Sequence, residues 1–371
     1  VGQVWKLTQI PRLMTGNTIQ VALGGILMRP AQTVTSGAAG TELTPELAAL
    51  IQSLQKLNAA PPQPDAAPQE VLAFLRKRRS IVLQLVKQSR TTQERETWQR
   101  QLINLLASVA QAGDQSGITE LSTLEKSLSR QSPQSSLIPY AIYRRQLGTY
   151  GLSIRSGNLK QQTAAQEKWL ASLEQFVQTF PKSEDAPDAL LQLAVNRELS
   201  GSTGEATDFF TQLAGRYADT PQGKRATGAI RRLQLTGKEM PLSGTDLSGQ
   251  TVNAGTYRGK LLLIVFWASW SGEFEEDVPV LNGLYQQYRA QGFEVVGVNL
   301  DPQASVAGPF IQQNKISWTS IFQPGVFDSP LSQQYGILTV PTMFLIGRDG
   351  KVIGNNLSLT ELKDTLRKQL N

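Results

Sequence analysis

The chain has 371 residues and contains neither cysteine nor histidine. Without cysteine there is no disulfide, no thiolate nucleophile, no Cys-ligated zinc and no iron–sulfur cluster. Without histidine the commonest general base and metal ligand near neutral pH is missing. Carboxylate, lysine, hydroxyl and backbone are what remain for chemistry, so most enzyme mechanisms are disfavoured before any motif is read. No metal or cofactor is implied by this set. A long apolar run is also missing: Ile19 to Met28 holds two glycines and falls well short of the about 20 residues that span a bilayer. No transmembrane segment is expected. The first residue is Val1, which reads as a processed or trimmed start, and an export signal could have been lost that way. Lack of cysteine does not itself fix the compartment.

What is present is an ordinary globular balance, 40% apolar and 18% charged. The length suggests more than one domain at roughly 100–200 residues each. The net charge of +6 is unevenly spread: residues 239–371 carry −3 and residues 1–238 carry +9. The excess peaks at Arg76, Lys77, Arg78 and Arg79. Such a run can contact nucleic acid or an anionic membrane surface. It equally fits the solvated face of a helix, because Val71, Leu75, Val82, Leu85 and Val86 form an apolar stripe beside it. No aromatic interleaving and no RNA-binding motif accompanies it, so a nucleic-acid partner is not expected.

Three patterns follow one another. Residues 1–57 form a small N-terminal segment with strand character at Val4–Ile10 and Thr18–Leu23. It ends in a short helix from Thr44, which caps it, with Pro45 at the first helical position. Residues 58–69 are a proline- and alanine-rich linker, stiff and extended. Residues 70–238 read as helix almost throughout, with apolar residues at three- and four-residue spacing and breaks at Gly113, Ser132-Pro133, Gly157 and Pro181. Near 163–236 a faint repeat appears: Leu173, Phe176, Phe180, Ala189 and Leu193 have counterparts 37 residues later at Phe210, Leu213, Tyr217, Ala226 and Ile230. This order resembles tetratricopeptide repeats, whose helix pairs stack and present a concave face to partners. A helical bundle acting only as packing or spacer fits as well.

From residue 239 to 371 strands and helices alternate. The landmarks are the strand Leu261–Ala268 ending in Phe266-Trp267-Ala268, the segment Val340-Pro341-Thr342, and the turn Asp349-Gly350-Lys351. A leading hairpin precedes them at Leu242–Val252, and a closing helix follows at Leu359–Leu370. Together they resemble the TlpA/ResA branch of the thioredoxin superfamily. The fold class expected is therefore multidomain: an all-α, TPR-like or bundle region, then an α/β thioredoxin-like domain with a central mixed sheet flanked by helices.

The resemblance makes one departure plain. The family writes Trp-Cys-x-x-Cys at the end of the strand, and this chain reads Trp270-Ser271-Gly272-Glu273-Phe274. Ser271 takes the place of the nucleophilic cysteine. A serine needs an adjacent base to attack anything, and no histidine exists to supply one, so Ser271 reads as a helix N-cap. Phe274 replaces the resolving cysteine and can neither form nor resolve a mixed disulfide. The buried acid found in many family members six residues before the first cysteine is Val265 here. Glu273, Glu275, Glu276 and Asp277 crowd the first turns, where they complement the positive helix end. A peroxiredoxin reading fails too, for want of a peroxidatic cysteine.

What the resemblance leaves is a binding reading. In the family the proline at the Pro341 position is cis, and the backbone before it, here Val340, pairs with extended substrate. Alternatively Pro341 simply completes the fold. Trp267 reads as core, whereas Trp270 is placed to be a partly exposed anchor. The expected function is a redox-inactive, non-enzymatic binding or assembly module with a protein or extended-peptide partner. The candidate binding residues are Trp270, Val340 and Pro341, and Ser271 and Phe274 are vestigial. The resemblance also implies an extracytoplasmic, periplasmic setting. The alternatives are a thiol-disulfide oxidoreductase by descent whose cysteines were lost or removed, and an anionic-surface binder acting through Arg76–Arg79.

Overall fold

A computed structural model describes residues 44–63, 66–155 and 158–370. The strands expected at Val4–Ile10 and Thr18–Leu23, and the break at Gly157, lie outside the described residues. Contacts divide the chain into two compact units, Val1–Ala189 and Leu190–Asn371.

The first unit is helical: α1 Pro45–Asn58, α2 Pro68–Gln88, α3 Thr92–Gln111, α4 Ser116–Gln131, α5 Leu137–Arg155, α6 Leu159–Thr179 and the start of α7 Ala186–Leu199. The caps are local and strong. Thr44 accepts the Leu47 amide at 3.2 Å, and Thr91 with Glu94 forms a reciprocal capping box that opens α3. Short connections bring successive helices together, and Leu85, Ile103, Leu106, Leu121 and Ala141 are fully buried in one core. The arginine run sits on α2, where two of its four cations are already partnered. Arg76 pairs with Asp114 at 2.8 Å and Arg79 with Glu120 at 2.6 Å.

A buried ion pair fixes the end of this unit. Arg144 on α5 donates to Asp185 at 2.7 Å, just before α7, and both side chains are buried. Its guanidinium carbon lies 4.4 Å from the Tyr140 ring centroid and 5.2 Å from that of Tyr143. Asn104 accepts from both Arg144 at 3.1 Å and the Tyr140 hydroxyl at 2.7 Å. Hydrogen bonds and stacking thus satisfy most of the cation that burial would otherwise penalise.

The second unit begins within α7 and continues through α8 Thr203–Arg216 and α9 Pro221–Leu233. After β1 Ser243–Thr245 and β2 Thr251–Asn253 come β3 Leu261–Trp267, α10 Gly272–Tyr288, β4 Phe293–Asn299 and α11 Ala304–Gln313. Then follow β5 Thr319–Phe322, α12 Pro330–Tyr335, β6 Thr342–Ile346, β7 Val352–Asn355 and α13 Leu359–Leu370. β1 and β2 pair as a separate hairpin, and the main sheet has the order β5-β4-β3-β6-β7. β3, β4 and β5 are mutually parallel, while β6 pairs antiparallel with both β3 and β7. All seven residues of β3 are buried, as a central strand covered on both faces requires. Leu262, Ile264 and Phe266 enter one core with Leu331 and Tyr335 of α12. Leu263, Val265 and Trp267 enter the other with Val278 and Leu281 of α10 and Leu362 of α13. The mixed, helix-flanked sheet is the architecture that the family resemblance implied.

The residue pattern changes at Met240, but the compact unit starts earlier. α9 lies directly on α12: a Cβ on Gly228 would come 2.1 Å from the Gln333 carbonyl oxygen, and one on Gly336 would come 2.1 Å from the Ala229 amide. Only glycine at both places permits this backbone approach. The buried Arg232 closes the joint, donating to the Tyr335 carbonyl at 3.2 Å and pairing with Glu198 of α7. Its own carbonyl accepts from Asn355 at 2.6 Å.

Candidate functional site

The C-terminal ends of β3 and β4 and the N-termini of α10 and α11 meet at one end of the parallel strands, where open α/β sheets place their sites. Ser271 is the N-cap of α10: its hydroxyl oxygen accepts the Phe274 amide at 3.3 Å. The same hydroxyl donates to the carbonyl oxygen of Val340 at 2.9 Å. Val340 precedes Pro341 across a cis peptide bond. Ser271 and Val340 are buried, while Trp270 and Pro341 are half-buried. Ser271, Trp270, Val340 and Pro341 are therefore brought together. The Ser271 hydroxyl is committed on both sides, donating to one backbone group and accepting from another, and neither partner is a base.

Phe274 points the other way, into the core. It is fully buried and stacks on Trp267, with ring centroids 4.9 Å apart. Phe310 of α11 lies 5.5 Å from Trp267 and 6.1 Å from Phe274. The position corresponding to a resolving cysteine is thus one member of a three-ring cluster. Val265, where the family's buried acid would stand, is likewise packed in apolar core.

A buried carboxylate does exist nearby, supplied by another strand. Asp301, just after β4, is completely inaccessible. It accepts the Ser269 amide at 3.0 Å, the Ser269 hydroxyl at 2.9 Å and the Asn299 side-chain amide at 2.8 Å. Neutral donors hold it in place, and it in turn holds the loop that presents Trp270 and Ser271. Sequence reasoning missed this group. The signal was Asn299 and Asp301 set two apart at the mouth of an apolar strand, polar residues on a face that is otherwise core.

Trp270 packs edge-on against Phe327, with ring centroids 6.0 Å apart. Phe327 is held by a turn in which Val326 has φ of 54°, a left-handed conformation that a β-branched residue adopts only at a cost. Asp328 of the same turn pairs with Arg225 of α9 at 2.7 Å.

The acidic face of α10 is electrostatically crowded. Burial, then the charges of Glu273 and Glu276, push the Asp277 carboxyl up to about 6, against the pull of Lys363. The Glu273 carboxyl is raised as well, by burial and by Glu276. No cluster of three or more potential metal-ligating residues occurs among the described residues. No described helix is long and apolar enough to cross a membrane.

Strand order, the Val340–Pro341 junction and a helix entered through Ser271 define a thioredoxin-like domain that carries no thiol at its active-site positions. The AhpC/TSA family profile matches residues 236–354. The thiol-disulfide oxidoreductase ResA of Bacillus thuringiensis subsp. konkukian (strain 97-27) is 31% identical over 118 residues, which is 32% of this chain and 66% of that protein. This chain thus spans just under two thirds of that relative's length. ResA of Bacillus thuringiensis (strain Al Hakam) is 30% identical over 156 residues, covering 42% of this chain and 79% of the relative. Among solved structures, the C-terminal domain of a putative thiol-disulfide oxidoreductase from Bacteroides thetaiotaomicron is 26% identical. It covers 36% of this chain and 95% of its own, with a TM-score of 0.35. The chain belongs to the ResA-type family of thioredoxin-like proteins, and its membership rests on the C-terminal part.

Proposed function

We propose that this protein is a redox-inactive member of its family whose thioredoxin-like unit works by binding a protein or an extended peptide. The observation that carries the reading is the fate of the two active-site positions. Ser271 is spent as a cap and a strut to Val340, and Phe274 is spent on the core. Both have structural work that a catalytic pair would have to abandon. A non-enzymatic role agrees with the missing thiols, since exchange requires a thiolate to attack a disulfide sulfur. The half-buried Trp270 and Pro341 remain at the surface beside this locked junction, an aromatic and a proline suited to hold an extended segment. The descent from an oxidoreductase is retained in the fold and not in the chemistry. The ion pairs on Arg76 and Arg79 favour a solvated helix face over an anionic-surface role for the basic run. The family resemblance supports an extracytoplasmic setting.

The test has two arms. Purified full-length protein is assayed for dithiol-driven disulfide reduction, with buffer as the reference and no rate above it expected. An array of extended peptides is then titrated while tryptophan fluorescence is followed, and binding is expected to be lost in Trp270→Ala. Reduction by the unmodified chain, or peptide binding indifferent to Trp270, overturns the reading.

A further inference from the structure

A second feature lies at the other end of β3, a strand of seven residues that spans about 20 Å at roughly 3.3 Å rise per residue. There a cavity of about 230 Å³ opens beside the first residues of the strand. Met240, Leu262 and Ile346, all buried, supply an apolar wall, and Tyr257 adds a ring. Glu239 and Arg258 stand at its mouth, paired with each other and both more than 60% exposed. The volume is below the roughly 300–1,000 Å³ typical of pockets for drug-sized ligands. It is on the scale of a small metabolite.

The backbone segments that carry the two charged residues are clipped to one turn. Lys238 accepts the Val352 amide at 2.9 Å, and Glu239 bridges to Lys351, so the Glu239 segment is clipped to the β6–β7 turn. Gly259 donates to the Arg348 carbonyl at 2.9 Å, which ties the residue after Arg258 to the same turn. The guanidinium lies over Gly350, where a Cβ would come 3.1 Å from its Nε. One turn therefore brings residues bearing a cation and an anion next to each other above an apolar wall. An ion pair this exposed contributes little to stability, so exchange of its partners for those of a ligand meets little resistance.

We propose that this cavity binds a small zwitterion, a free amino acid with an apolar side chain. Its carboxylate sits on Arg258, its ammonium on Glu239 and its side chain against Leu262 and Ile346. The planar guanidinium fork suits a carboxylate in two-point contact. The site is distinct from the Trp270–Pro341 end of the sheet and independent of what binds there.

The test is isothermal titration of the full-length protein with L-phenylalanine and L-leucine. Glycine, phenethylamine and 3-phenylpropionate serve as probes lacking the side chain, the carboxylate and the ammonium. Saturable binding of at least one of the two amino acids is expected, tenfold or more tighter than any of the three partial probes. Arg258→Gln and Glu239→Gln should each weaken it at least tenfold while leaving thermal unfolding of the free protein unchanged, since both side chains are on the surface. No saturable heat with either amino acid overturns the proposal. So does binding that both variants retain, or binding of 3-phenylpropionate as tight as that of L-phenylalanine.

Discussion

The hydroxyl of Ser271 joins the first turn of α10 to Val340, a residue 69 positions further along the chain, donating to its carbonyl oxygen at 2.9 Å. It simultaneously accepts the Phe274 amide. Ser271→Ala removes both bonds and leaves the buried Val340 carbonyl unpaired. A lost cap costs about 1 kcal/mol and an unsatisfied buried acceptor about 1–3 kcal/mol. The variant should lose about 2–4 kcal/mol, read as a lower urea midpoint at unchanged m-value. A midpoint equal to that of the parent would show that the strut carries no load.

Phe274 tests whether the lost thiol position can be given back. Phe274→Ala opens a cavity among Trp267 and Phe310 and should cost about 3–5 kcal/mol. Phe274→Cys, with a larger side chain than alanine, should cost less. The pair Ser271→Cys with Phe274→Cys is therefore expected to be markedly less stable than the parent in a thermal scan, whatever disulfide reduction it regains.

Burial decides between ion pairs in the helical unit. Asp185→Ala leaves Arg144 buried without its anion and should cost about 3–5 kcal/mol. Arg76→Ala breaks a pair whose arginine is 61% exposed and should cost less than about 1 kcal/mol. Denaturant unfolding of the two variants, followed by far-ultraviolet circular dichroism, checks the contrast.

Asp277 gives a pH dependence with a definite sign. Its carboxyl titrates near 6 in the folded chain, above the ordinary value of 3.8. Between those values the native state binds more protons than the unfolded chain, so stability falls as pH rises through this window. Asp277→Asn removes that term. The difference in melting temperature, variant minus parent, should grow from pH 4 to pH 6 and level off above. A difference that is flat across the window would mean that Asp277 has no raised pKa.

Local chemistry was readable in the residues, and long-range chemistry was not. Thr44 with Pro45 announced α1, and the apolar period of Leu359 to Leu370 gave α13 its observed limits, because a cap or an amphipathic stripe involves neighbours in sequence. The segment Val340-Pro341-Thr342 stands out in the residues, but not that β6 begins at its last member, Thr342, while the Val340 carbonyl is taken by Ser271. Ser271 as an N-cap follows from its place before a helix, but its second bond to Val340 could not be read from spacing. The Asp301–Ser269 network joins two strand ends 32 residues apart. The resemblance located the active-site positions, whereas the three-ring cluster around Phe274 depends on Phe310, brought in from α11.

The contact of Gly228 with Gly336 has a consequence for dissection. A fragment beginning at residue 239, where the alternating pattern starts, would discard α9 and leave the Tyr335 carbonyl and the Asn355 amide without Arg232. It would also bare core that Leu235 now covers. Such a fragment is expected to melt below one that keeps α9, because the stretch that packs as one unit is longer than the family profile that identifies it.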